Sequence, residues 1–258
     1  MTEQAVLYEL RENIAVLTLN RPHRLNAINM QMLTQLVGHL DDARRDPAVS
    51  CTILTGTGRA FCSGEDLKET AAGKTLETWE REVAGLQEVQ RAVMRLGKPL
   101  IAAVRGYAVG GGCEFAMSCD IRIVSEDARF GFPETAVGMT VTTAGTKLLS
   151  HLVGLGKAKE LVFTGEFIDA AEAVRIGLVN RVVPGESLID EAMEMAGRIA
   201  ERSPLALRLS RTAIEQGMHS TFEETLDLEA GQIMECIQEG SYFEYAKRTA
   251  DGMGGGRG

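Results

Sequence analysis

No run of about 18 apolar residues occurs in this 258-residue chain, so its sequence offers no membrane-spanning helix. Basic residues are the minority: 27 Lys and Arg stand against 36 Asp and Glu, a formal net charge of −9. A phosphate backbone needs a basic footprint, so nucleic-acid binding is disfavoured, although a local basic cluster can hold a small phosphate-bearing ligand. Cysteine pairing is also missing. The five cysteines (51, 62, 113, 119 and 236) contain no Cys-x-x-Cys and are odd in number. Reduced thiols in the cytoplasm fit this better than a disulfide framework. The histidines His23, His39, His151 and His219 show no ligand spacing, so a metal site is not expected. The opening Met-Thr-Glu-Gln lacks the basic and apolar regions of a secretory signal. Neither Gly-x-Gly-x-x-Gly, nor a Walker A loop, nor Gly-x-Ser-x-Gly occurs, which leaves a nucleotide cofactor and a serine elbow unsupported.

What is present describes a globular protein with a large core. Hydrophobic residues make up 45% and charged residues 24%, ordinary values for a soluble domain. Residues 12–20 alternate as a strand, with Ile14, Val16 and Thr18 on one face and Ala15, Leu17 and Leu19 on the other. Asn29 is placed to cap a helix whose apolar positions Leu33, Leu36, Val37 and Leu40 have helical spacing. Further strands are expected at 49–55, 99–104 and 121–124, with a helix over 76–96 through Val83, Leu86, Val89 and Val93. Strands alternating with helices argue for a parallel sheet with crossover helices. From Ser187 the pattern changes to helices alone, at 187–202, 205–217 and 222–248 with a break near Gly240. Ser203 and Pro204 supply a cap and a first-turn proline. The glycine-rich end from Gly252 is expected to fray. The organisation is therefore an α/β core over residues 1–186 and a helical section over 187–258.

The chemistry concentrates in Gly106-Tyr-Ala-Val-Gly-Gly-Gly-Cys-Glu114, where a buried strand ends in glycines and is expected to open directly into a helix. Gly110 and Gly111 let backbone N–H groups approach a ligand, and the helix start adds unpaired donors. Glu114 lies among Cys113, Phe115, Ala116 and Met117, so it is expected to be partly buried with a raised pKa. A general acid/base role competes there with that of a capping carboxylate. Glu134, twenty positions on and behind Pro133, reads alone as a loop carboxylate. Brought near Glu114 it would allow one acid to donate a proton while the other accepts. A third element, Phe61-Cys-Ser-Gly64-Glu-Asp-Leu-Lys68, again places a glycine before a helix start. Asp66 is its cap, the N–H of Glu65 is a candidate second donor to an oxyanion, and Lys68 stands near the same mouth. Cys62 and Cys113 lack a histidine partner and are better read as packing residues than as nucleophiles.

These segments, in this order, resemble the crotonase (enoyl-CoA hydratase/isomerase) superfamily. The match runs through Arg21-Pro-His-Arg-Leu-Asn-Ala27, Phe61 to Leu67, Lys98 to Val104, Gly106 to Glu114 and Phe130-Gly-Phe-Pro-Glu134, and covers almost the whole chain. The resemblance implies a crotonase-like spiral of ββα units with C-terminal helices that assemble a homotrimer, or a dimer of trimers as a hexamer. It implies an acyl-CoA thioester as substrate, with no metal and no separate cofactor. The oxyanion hole would be the N–H groups of Glu65 and Gly111, and Glu114 and Glu134 match the two catalytic glutamates, their individual roles left open. Gly64 and Gly110 flank the hole. Asp66, Leu67 and Lys68 match the stretch lining the CoA adenine pocket, Arg24 and Leu25 fall near the pantetheine path, and Lys247 with Arg248 matches a basic pair reaching CoA phosphates. Three departures stand out: Val141-Thr-Thr-Ala-Gly-Thr146 replaces a proline- and glycine-rich loop, which bears on the acyl group; residue 65 is Glu where a small residue is common, which adds negative charge near the site; and the usual aromatic end after the C-terminal basic pair is missing. The implied reaction is hydration of a 2-enoyl-CoA. Isomerisation, hydration of a cyclic or carnitine-type acyl group, and a non-catalytic acyl-CoA- or RNA-binding role stand beside it, the charge weighing against RNA.

Overall fold

The computed structural model describes residues 4–254. The chain begins with β1 (Val6–Arg11), β2 (Ile14–Leu19), α1 (Met30–Arg45), β3 (Cys51–Gly56), β4 (Ala60–Cys62), α2 (Leu67–Ala71) and α3 (Leu76–Arg95). Its middle holds β5 (Leu100–Val104), β6 (Tyr107–Val109), α4 (Gly111–Ser118), β7 (Ile121–Ser125) and β8 (Arg129–Gly131). After them come α5 (Gly145–Val153), α6 (Leu155–Thr164), β9 (Ile168–Asp169), α7 (Ala170–Arg175) and β10 (Arg181–Val183). Four helices close the chain: α8 (Leu188–Ala200), α9 (Pro204–Gly217), α10 (Phe222–Glu239) and α11 (Tyr242–Gly254). Helix α11 thus runs into the stretch expected to fray, and residues 255–258 of that stretch lie outside the described residues.

Two sheets result. The larger has the order β1-β2-β3-β5-β7-β10, parallel except for the antiparallel β1–β2 hairpin. The smaller has the order β4-β6-β8-β9. Each of β3, β5 and β7 passes to a short strand of the smaller sheet and then to helix, which is the repeating ββα unit of the spiral. The alternation in β2 sorts its side chains as expected. Ala15, Leu17 and Leu19 join the main core under α1 and α3. Ile14 and Val16 join a second core with Ile53, Ile101 and Ile123, covered by Leu188, Ala192 and Ala196 of α8. Because both faces are covered, β5 is buried along its whole length, as central parallel strands are.

The expected direct passage from β5 into a helix is corrected by β6, which intervenes before α4. The chain turns the corner at Gly106, φ +58°, where any Cβ would run into the Arg59 carbonyl. Strands of three residues are too short to show alternation, so the small sheet left no periodic trace in the sequence. Strand β1 was missed for a related reason: as an edge strand its burial fades toward Arg11. The caps agree with expectation. Asn29 accepts the Met32 N–H, Asp66 those of Lys68 and Glu69, and Ser203 that of Ala206. Among the described residues, no helix is long and apolar enough to cross a membrane.

Candidate active site

Glu114 stands in the first turn of α4 and is 1% exposed. Its Oε1 accepts the N–H groups of Thr142 (3.1 Å) and Thr143 (2.6 Å), which lead into α5. Gly145 makes room for it, since a Cβ there would lie 2.6 Å from Oε1. Burial pushes the Glu114 carboxyl above its ordinary value, while the N–H groups of Thr143, Thr142 and Gly145 pull the other way. The loop at 141–146, noted above for its departures, therefore holds this carboxylate in place.

Glu134 sits in the one-turn 3-10 helix Pro133–Val137, with both carboxylate oxygens buried and no hydrogen-bond partner for either. Burial raises its carboxyl to about 7, with its own backbone N–H opposing this and the charge of Glu114 adding to it. The two acids converge on the start of α4. Glu134 Oε1 lies 2.9 Å from where a Cβ on Gly110 would be, and Glu114 Oε2 lies 3.9 Å from the same point on Gly111. Together they line one cavity of about 200 Å³. Two similar groups thus receive unlike environments: Glu114 accepts two N–H groups from the 141–146 loop, and Glu134 accepts no hydrogen bond from another described residue.

Donors meet at the same place. The Glu114 N–H donates to the Gly110 carbonyl, closing the first turn of α4, so the N–H of Gly111 has no partner within the helix. The chain at Gly64 and Glu65 lies alongside. Gly64, φ +79°, would bring a Cβ to 2.6 Å from the Val109 carbonyl and 3.4 Å from the Gly111 nitrogen. The Gly64 carbonyl accepts the Ile28 N–H at 2.8 Å, and Ile28 bridges Glu65 in parallel register. That register turns the Glu65 N–H away from Ile28. Asn26, fully buried, fastens this loop through its side chain to the carbonyls of Thr57 and Ala60 and to the Arg21 N–H.

Gly64, Glu65, Leu67, Gly110, Gly111, Glu114 and Glu134 all line the cavity. Arg24, Leu25, Asp66, Lys68 and Lys247 do not. Asp66 turns its side chain toward α2 and the Arg21 loop. It is 3% exposed, caps α2, and faces Arg21 (3.5 Å) and Arg24 (3.9 Å), so its carboxylate is committed to the fold. Leu25 serves through its carbonyl, which accepts the Ser63 N–H at 3.1 Å. Lys247 is exposed on α11, and its neighbour Arg248 donates to the Glu201 carbonyl. Cys62 and Cys113 are buried, and burial raises both thiols, Cys62 to about 12, which suits packing rather than nucleophilic attack.

Sequence reasoning missed the opposite wall. Trp79, Val83 and Leu86 of α3 line the cavity, continuing the stripe that marked α3 as amphipathic. Between α2 and α3, Lys74 donates to Glu65 and, at 2.7 Å, to Glu82. The charge on Glu65 near the site is thus paired.

Known proteins resemble this chain over most of its length. The family model described as enoyl-CoA hydratase/isomerase matches residues 9–248. The short-chain-enoyl-CoA hydratase of Clostridium acetobutylicum is 44% identical over 233 residues, covering 90% of this chain and 89% of that protein. The crotonyl-CoA hydratase of Syntrophomonas wolfei is 41% identical over 257 residues, covering 97% and 98%. The crystal structure of an enoyl-CoA hydratase from Bacillus anthracis superposes with a TM-score of 0.92 at 34% identity, covering 96% of each chain.

Proposed function

The chain belongs to the enoyl-CoA hydratase/isomerase family, and we propose that it adds water across the 2,3-double bond of a short 2-enoyl-CoA, or runs the reverse dehydration. The observation that carries this reading is the pair Glu114 and Glu134, held in unlike environments on one small cavity beside the start of α4. The N–H groups of Gly111 and Glu65 grip the thioester oxygen. A preorganised donor of this kind is worth about a hundred- to a thousand-fold in rate. Glu114, stabilised as a carboxylate by backbone donors, takes a proton from water as its oxygen bonds to carbon 3. The π electrons move onto the thioester as an enolate. Glu134, its carboxyl raised to about 7 by burial, gives its proton to carbon 2 as the enolate collapses. Both acids flank the same helix start, which favours addition to one face, a syn hydration. The thioester carbonyl is the electron sink, so the step calls on no metal or separate cofactor.

The cavity supports a short acyl group. At about 200 Å³ it falls below the 300–1,000 Å³ of pockets for drug-sized ligands, and Val83, Leu86 and Met139 make it largely apolar. Crotonyl-CoA is expected to be hydrated with a kcat/KM at least tenfold above that of a ten-carbon enoyl-CoA, followed by loss of enoyl absorbance. A folded protein that turns over no enoyl-CoA of any length rejects the reading.

We also propose the homotrimer, as such or doubled to a hexamer, in the cytoplasm. Ile214 (70% exposed), Phe222 (90%) and Ile233 (57%) flank an open apolar groove between α9 and α10. An apolar surface of this kind marks an interface. Light scattering after size exclusion is expected to give three or six chains per particle, and a stable monomer rejects the assembly.

A further inference from the structure

Three side chains that line the cavity converge on one that does not. Glu65 accepts from Thr70 Oγ1 at 2.8 Å and from Lys74 Nζ. Lys74 also donates to Glu82 at 2.7 Å and lies 4.8 Å from the centre of the Trp79 ring. The side chains of Lys74 and Glu82 are 6% and 8% exposed. The ammonium and one carboxylate are therefore shut away from water beside the cavity, and the second carboxylate, on Glu65, is 21% exposed. Burial works to lower the pKa of the ammonium, but the two carboxylates outweigh it and hold the value up, so the charge on Lys74 is secure.

Glu65 presents two groups of opposite effect. Its N–H is placed to hold the thioester oxygen, while its carboxylate hangs from the same residue on the same cavity. An unpaired anion there opposes the negative charge that develops on that oxygen, and poor hydration strengthens the repulsion. We propose that Lys74 is a positioning residue for this reaction: it neutralises Glu65, draws its carboxylate away from the thioester oxygen, and pins Glu82 and Trp79 as the acyl wall. The proposal rests on the reading above that the Glu65 N–H belongs to the oxyanion hole.

A mutant cycle tests it, with crotonyl-CoA as substrate. Lys74→Met in the parent is expected to lower kcat ten- to a hundredfold with KM changed less than threefold. The same substitution in a background carrying Glu65→Gln and Glu82→Gln is expected to lower kcat less than threefold, because both charges it offsets are gone. A spectroscopic readout separates charge from packing. The enolate fraction of bound acetoacetyl-CoA, seen in the near ultraviolet at fixed pH, should fall in Lys74→Met and not on adding it to the background with both glutamines. Equal losses of kcat in both backgrounds overturn the proposal, as does a Lys74→Met variant within threefold of the parent. Should Lys74→Met unfold the parent, the background with both glutamines still decides: a drop of threefold or more on adding Lys74→Met overturns the charge role, and a smaller drop supports it. A parent that hydrates no enoyl-CoA rejects the underlying reading instead, independently of Lys74.

Discussion

Glu114→Gln is expected to lower kcat for crotonyl-CoA hydration by about a hundred- to ten-thousandfold, the range for loss of a general base. Glutamine has the same shape, and its carbonyl oxygen still accepts the Thr142 and Thr143 N–H groups that hold Glu114 now. The fold and the acyl wall are therefore kept, and KM should move little. What is lost is the capacity to take a proton from water. The test is steady-state hydration of crotonyl-CoA together with a thermal melt. A kcat within tenfold of the parent, in a variant that melts normally, removes Glu114 from the chemistry.

Glu134→Gln is expected to cost hydration about as much, through loss of the proton delivered to carbon 2. It also separates the nearest rival, since an isomerase working through Glu114 alone would keep most of its activity. The pH dependence carries a further signature. Glu134 titrates near 7 and must be protonated to donate, so hydration by the parent should fall as pH rises through 7. It should also fall at low pH, as Glu114 takes up the proton that disables it as a base. The two limbs belong to an interacting pair. In the variant the alkaline limb should vanish from the residual activity. Stability moves in a defined direction too. The folded chain holds the Glu134 proton up to about 7, against an ordinary value of 4.5. Stability is therefore lost as pH rises through that window, while the unfolded chain has already given the proton up. The glutamine variant should be more stable than the parent at pH 8, by roughly 1–3 kcal/mol, and no different at pH 4. A variant no more stable at pH 8 would mean that the carboxyl is better solvated than the structure places it.

Much of this was legible before folding, because it is encoded locally. The alternation of β2 named the residues of two separate cores, and the short side chains of Asn29, Asp66 and Ser203 marked helix starts, since a cap bonds within three residues of itself. Glu114 was identifiable because its neighbours in sequence are also its neighbours in space: a carboxylate inside an apolar helix has nowhere to go but the interior. Glu134 carried no such signal. Its burial comes from chain distant in sequence, and by itself it read as a loop acid.

Residue order thus settled the alternating architecture, the core faces, the helix caps and the glycines that open the way to backbone donors, since each depends on periodicity or on contacts a few residues long. Folding settled the rest: that two acids twenty positions apart share one cavity, that one is held by Thr142 and Thr143 while the other has no partner, that Asp66 belongs to Arg21 and Arg24, and that Lys74 answers Glu65. These are matters of electrostatics and desolvation. Both depend on distances in space that no periodicity reports, so the same glutamate is a surface charge in one surrounding and a proton donor in another.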